Sequence, residues 1–101
     1  FNSLYPRNYT EASSAYFDAS QAIYANGPIK EKEAHLAALA TSAATKCQYC
    51  IPFHIAQAKR LGATEDELKA AVQIAADVMR MSTMFYGNEF DLDEFKAMLK
   101  N

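Results

Sequence analysis

The sequence predicts an all-α domain, and its composition is the main support for this prediction. Half of the 101 residues are hydrophobic, and only three are glycine and three proline. This composition favours helices and provides few residues that interrupt them. We find no internal repeat and no convincing strand. A chain of this length forms a single domain, here taken as residues 1–101, with a modest core, so we expect it to be oligomeric.

The first two helices are predicted from the spacing of apolar and small residues. Residues 10–25 have this helical spacing, with Thr10 as the candidate N-cap, and end at the Asn-Gly-Pro turn of residues 26–28. A second helix over about residues 30–46 has leucine and alanine on one face and small residues over most of its remaining surface. It can therefore pack closely against several neighbours.

Three further helices are predicted from residues typical of helix ends. The third begins between Cys47 and Cys50 and ends at Gly62, because Pro52 is tolerated in a first turn and glycine suits the position after a last turn. The fourth runs to about residue 85, and a short fifth helix follows it. The pairs that form capping-box patterns at the starts of these two helices are Thr64 with Glu67 and Asp91 with Glu94.

Charge and hydropathy exclude two classes of partner. Ten basic and twelve acidic residues give a net charge of -2, and no basic run is present, so we expect no nucleic-acid partner. No apolar run approaches the roughly 20 residues that cross a bilayer, so we expect no membrane partner. Nothing at the start resembles a signal peptide. These features predict a cytoplasmic protein.

Two cysteines and a histidine form the most informative pattern, in "KCQYCIPFH" at residues 46–54. Residues three and four apart are neighbours on a helix, so Cys47, Cys50 and His54 lie on one stripe if the helix begins early enough. A helix N-terminus favours thiolate over thiol, and a nearby imidazole can accept the thiol proton. The pattern therefore predicts a reactive dithiol.

Other interpretations of the cysteines remain open. A structural zinc site needs four ligands, and His35 could supply the fourth, but three ligands would crowd onto about one and a half helical turns. A packed, unreactive cysteine pair is a further alternative. Covalent haem attachment is excluded, because Ile51 stands where that motif requires histidine.

The segment "HLAALATSAATKCQYCIPFHIAQAKRLGATEDELKAAV", residues 35–72, resembles the AhpD-like, or carboxymuconolactone decarboxylase, superfamily. The resemblance extends over about residues 29–86 and rests on the small-residue helix, the C-x-x-C-x-x-x-H motif and the glycine that follows. It implies a small helical domain that assembles into homotrimers or homohexamers. For members with both cysteines it also implies reduction of a hydroperoxide without a metal or organic cofactor, by electrons from a thiol or protein donor that the sequence does not identify.

The resemblance also implies roles for individual residues. Cys50 corresponds to the thiolate that attacks the peroxide, Cys47 to the resolving thiol, and His54 to part of a proton relay. One position departs from the pattern, since peroxidase members have glutamate twelve residues before the first cysteine, where this chain has His35. Either His35 replaces that carboxylate as a neutral base, or Glu31, one turn earlier, reaches the relay through His35. A partly buried His35 without any role in the relay is the remaining alternative.

The first functional hypothesis is thus a thiol oxidoreductase of the alkylhydroperoxidase type. The second is a non-catalytic redox-sensing or interaction module, in which the same cysteine pair closes a disulfide that alters assembly. The substitution of histidine for glutamate favours this second hypothesis. Lactone decarboxylation is a third possibility, and the intact cysteine pair argues against it.

Overall fold

A computed structural model of the chain describes residues 2–100 and confirms the all-α fold. Two short 3-10 turns, Asn2–Leu4 and Arg7–Tyr9, precede the helices. Within residues 2–100 there is no strand, and no helix is long and apolar enough to span a membrane. The α-helices are α1 (Thr10–Asn26), α2 (Glu31–Thr45), α3 (Cys50–Arg60), α4 (Glu65–Gly87) and α5 (Leu92–Met98).

The predicted N-cap of α1 is wrong. Thr10 is the first helical residue, and Tyr9 occupies the N-cap position without a side-chain capping bond. The turn Arg7–Tyr9 leads directly into α1, so Thr10 already has helical backbone angles. Its hydroxyl donates backwards to the carbonyl of Arg7 at 3.0 Å. A threonine before a helical pattern therefore did not mark the helix boundary here.

Three of the helices end in the same backbone motif. After α2, α3 and α4 a residue adopts a left-handed conformation, with φ of 60° at Lys46, 94° at Gly62 and 52° at Glu89. The following residue donates its N–H to a carbonyl five positions earlier, as Cys47 does to Ser42 at 3.0 Å. This is the Schellman arrangement, which normally places glycine in the left-handed position. At the end of α2 it determines where Cys47 leaves the helix.

Helix α2 lies at the centre of the fold and packs against both α3 and α4. The Thr64–Glu67 capping box is confirmed at the start of α4, and Glu67 also pairs with Lys32 of α2 at 2.9 Å. The buried apolar core formed by these three helices is small. Its members within the described residues are Leu39, Ala58, Leu68, Ala71 and Ala75.

The outer helices are attached by aromatic side chains. The rings of Phe85, Phe90 and Phe95 cluster where α5 folds back on the end of α4, with centroids 5.1 Å apart for Phe85 and Phe95. Asp91 caps α5 by accepting the N–H of Glu94 at 2.8 Å, which is one of the two bonds of the predicted capping box. Helix α1 reaches α2 through Tyr24, whose ring stacks on a histidine of α2.

Candidate redox site

The two cysteines form a disulfide at the junction of α2 and α3. Cys47 is held by the Schellman bond at the end of α2, and Cys50 is the first residue of α3. Their Cα atoms are 5.3 Å apart, which lies within the usual range for a disulfide. Both residues are half-buried, whereas Tyr49 between them is 78% exposed. The pair therefore joins the segment after α2 to the first residue of α3 and lies beside an exposed side chain.

The N-terminus of α3 acts on the sulfur of Cys47. The backbone N–H of Cys50 donates to Cys47 Sγ at 3.2 Å, and the first turn of α3 contains no acidic residue. An N–H at a helix N-terminus favours negative charge on the atom that accepts from it. In the reduced protein this contact would stabilise a thiolate on Cys47. The family resemblance, in contrast, implies that Cys50 is the thiolate that attacks the peroxide.

Two buried histidines meet one turn beyond the disulfide. His54 of α3 and His35 of α2 are 9% and 3% exposed, and their Nδ1 atoms lie 3.0 Å apart. One ring must donate an N–H and the other must accept it, so the pair is compatible with two neutral imidazoles or with one shared extra proton. If both rings were fully protonated, the two Nδ1–H groups would point at each other and neither nitrogen could accept a hydrogen bond.

Aromatic rings enclose this histidine pair. Tyr24 of α1 stacks on His35 with ring centroids 4.5 Å apart and a tilt of 13°, and it approaches His54 at 5.6 Å. Phe53 contacts the edge of His54 at 5.0 Å from the α3 side. These rings cover the two imidazoles and contribute to their burial.

An acidic and a basic side chain lie at the outer end of the pair. Glu31 Oε2 is 3.9 Å from His35 Nε2 and 3.4 Å from an Nη atom of Arg60, the last residue of α3. Arg60 is also held by Gln57, whose side-chain oxygen accepts from Arg60 Nε at 3.1 Å. Glu31 therefore faces His35 and Arg60 at the same time.

Burial determines the charge of both histidines. Desolvation lowers the pKa of His35; Glu31 acts in the opposite direction, and Arg60 adds to the lowering. Desolvation also lowers the pKa of His54, with a smaller contribution from His35. At neutral pH both rings are therefore uncharged and able to accept a proton.

The structure thus brings four of the five predicted site residues into two neighbouring groups, with Glu31 at the outer end. Among the described residues no hydrogen bond joins either sulfur to His54, which follows Cys50 by one turn on α3. The same part of the chain contains no group of three or more histidine, cysteine, aspartate or glutamate side chains arranged to hold a metal ion.

Sequence reasoning missed two residues of the site. Tyr24 lies in α1, outside the motif, and only the packing of α1 on α2 brings its ring to His35. Arg60 is 29 positions from Glu31, so helical spacing does not associate the two residues. The position of Arg60 at the end of α3 is the only sequence feature that singles it out, and basic residues are common at helix ends.

Comparison with known proteins identifies the family of the chain. The model of the carboxymuconolactone decarboxylase family matches residues 10–87. A protein of Paracoccus denitrificans described as "Uncharacterized protein 4 in cox locus" is 28% identical over 75 residues, which cover 74% of this chain and 68% of the relative. No solved structure matches significantly. Because the family model matches most of the chain, including α1 to α4, the protein belongs to the carboxymuconolactone decarboxylase family.

Proposed function

We propose that this protein is a thiol-dependent oxidoreductase that reduces hydroperoxides through the Cys47 and Cys50 dithiol. The observation that carries the proposal is the disulfide at the N-terminus of α3, one helical turn before the buried histidine pair. Family membership is consistent with a redox role. The intact pair of cysteines and the positions of the two histidines support the peroxidase reaction.

The reaction balances with the chain's two thiols and one external reductant. In the first step the Cys50 thiolate attacks the distal oxygen of the hydroperoxide; the O–O bond breaks, the alkoxide takes a proton and leaves as an alcohol, and Cys50 becomes a sulfenic acid. The thiol of Cys47 then attacks that sulfur, which forms the disulfide and releases water. A thiol or protein dithiol donor supplies two electrons and two protons to restore both cysteines.

In this mechanism the histidine pair moves the protons of the cycle. His54 is one helical turn from Cys50, so in the reduced state its neutral ring can take the thiol proton. His35 can share that proton through the Nδ1 contact, and its Nε2 atom lies 3.9 Å from Glu31, whose side chain is 31% exposed. In this proposal His35 takes the place of the glutamate of the peroxidase members, as a neutral base.

Replacement of Cys50 by serine tests the catalytic cycle. The reduced Cys50→Ser variant should lose turnover of an organic hydroperoxide with dithiothreitol as donor, because serine cannot form the sulfenic acid. Since the chain contains only two cysteines, thiol counting before and after one equivalent of peroxide follows the whole reaction.

The Cys47→Ser variant is the matched control, because it removes one thiol from the same site. It should still form a sulfenic acid, which a dimedone reagent traps and mass spectrometry detects, but no intramolecular disulfide. Unchanged turnover in Cys50→Ser would contradict the mechanism. Sulfenic acid in Cys50→Ser and not in Cys47→Ser would reverse the roles of the two cysteines, as the N–H contact of Cys47 would then explain.

A redox-responsive module without turnover is the second candidate function. The disulfide joins the end of α2 to the start of α3, so its reduction would release a local constraint beside the exposed Tyr49. A change in oligomeric state between reduced and oxidised protein, together with the absence of peroxide turnover, would favour this candidate over the peroxidase.

A further inference from the structure

Arg60 contacts Glu31 but has no role in the proton relay proposed above. Its guanidinium bridges two helices, because one nitrogen contacts Glu31 of α2 at 3.4 Å while Nε donates to Gln57 on its own helix at 3.1 Å. Gln57 precedes Arg60 by three positions and holds the planar group in orientation. The carboxylate of Glu31 is consequently drawn towards Arg60, and lies 3.9 Å from His35 Nε2, beyond hydrogen-bond distance.

Arg60 and His35 compete for the carboxylate of Glu31, and the other groups around His35 show why this competition matters. From α1 it meets the ring of Tyr24, and from α3 it meets His54 and the more distant charge of Arg60. On its own helix it faces Glu31. The neighbouring charges towards α4, Lys32 and Glu67, pair with each other at 2.9 Å. Glu31 is therefore the one anion that faces His35 among the described residues, and Arg60 is its other partner.

We infer that Arg60 is a positioning residue that adds to the effect of burial and weakens proton binding at His35 by holding Glu31 away from it. A carboxylate that closed onto His35 Nε2 would hold a proton on the imidazole and block it as an acceptor. With Arg60 present the carboxylate is partly neutralised and displaced, so the pair stays ready to receive the thiol proton. This inference rests on the proposed function for its role in the reaction, but its effect on the histidines is independent of any substrate.

The Arg60→Gln variant tests this inference in the oxidised protein, where no reaction takes place. The chain contains two histidines, so imidazole NMR signals can be followed through a pH titration without overlap from others. Loss of Arg60 removes a repelling charge and releases Glu31, so the titration of His35 should move to higher pH. Arg60→Lys should restore much of the original midpoint, because it keeps the charge although it loses the contact with Gln57.

Lys59 provides the matched control. It is the preceding residue on α3, and it pairs with Glu65 at 3.2 Å instead of with Glu31. The Lys59→Gln variant makes the same change in net charge and should leave the His35 midpoint in place. When Glu31→Gln is already present, Arg60→Gln should raise the His35 titration midpoint by a smaller amount, because the carboxylate that Arg60 holds is then absent.

Three results separate this inference from the proposed function. An unchanged or lowered His35 midpoint in folded Arg60→Gln protein, or an equal rise in Lys59→Gln, would overturn the role of Arg60. A raised midpoint together with a hydroperoxide reaction displaced to higher pH is the expected outcome. A raised midpoint in a protein that never consumes hydroperoxide would support the role of Arg60 and overturn the peroxidase proposal.

Discussion

At the scale of single residues, the buried histidine pair links stability to pH. Both histidines have a folded-state pKa below the ordinary value of 6.5, because burial disfavours the charged ring. Above that ordinary pKa both states are neutral and stability is complete. As pH falls below it, the unfolded chain binds protons that the folded chain does not, so the free energy of unfolding decreases until the folded-state pKa values are reached. The slope cannot exceed about 1.4 kcal/mol per histidine and pH unit.

Urea unfolding of the oxidised protein at about pH 7.5 and pH 5.5 measures this loss, over the range in which histidine ordinarily titrates. The double variant His35→Gln/His54→Gln is the control, since it leaves no histidine in the chain. Its unfolding free energy should change less between the two pH values than that of the original protein, whatever its absolute stability. An equal change in both proteins would mean that carboxylates cause the pH dependence.

The residues of the site were only partly predictable from sequence. Cys47, Cys50 and His54 could be associated because they lie within one local motif, where helical spacing is informative. The Nδ1 contact between His35 and His54 joins positions 19 apart, and Tyr24 comes from another helix again. Such contacts depend on how helices cross, which periodicity within one helix does not specify.

At the scale of helices, the left-handed Lys46 predicts an increase in stability on substitution. Its φ of 60° places a Cβ in a strained region that glycine occupies freely, as Gly62 does in the same motif after α3. Lys46→Gly should therefore raise the free energy of unfolding by roughly 0.5–1 kcal/mol, after allowance for the greater freedom of glycine in the unfolded chain. Chemical denaturation of the oxidised protein measures the change.

Two further variants show whether backbone conformation is the cause. Glu89→Gly makes the same replacement at the end of α4, where φ is 52°, and should also stabilise the protein although it is far along the chain from the cysteines. Ala37→Gly, at an exposed position inside α2, should instead destabilise by about 1 kcal/mol. Destabilisation by both Lys46→Gly and Glu89→Gly would contradict the argument from strain.

Helix boundaries were predictable where side chains satisfy the terminal backbone groups. The Thr64–Glu67 box and Asp91 provide such bonds, and both starts were predicted correctly. Thr10 is also a threonine, but it follows a 3-10 turn and already has helical backbone angles. Its hydroxyl therefore donates to the carbonyl of Arg7. The ends of α2 and α4 were less predictable, since lysine and glutamate gave no sign of a left-handed backbone.

At the scale of the whole molecule, the isolated chain is unusually extended. Its radius of gyration is 17.7 Å, whereas a compact domain of about 100 residues has one near 13 Å. Apolar side chains of α4 are exposed on both sides of the alanines that face the core. Val72 and Met79 lie on one side. Ile74 and Val78 lie on the other side, and each of these two is more than 60% exposed. A monomer rarely leaves so much apolar surface on one helix. We therefore propose that copies of the chain associate through α4, as a homotrimer or homohexamer.

A substitution in the apolar groove between α2 and α4 tests this association. It measures about 550 Å³ and is lined largely by alanine and methionine, including Met79. Met79→Glu should lower the molar mass found by light scattering, because a carboxylate in a buried contact between copies would be desolvated without a partner. Gln73→Glu introduces the same charge among the polar positions Lys69 and Asp77 of α4 and should leave the mass unchanged. A monomeric original protein would refute the proposal, and equal dissociation by both variants would show that net charge, not the apolar face, controls assembly.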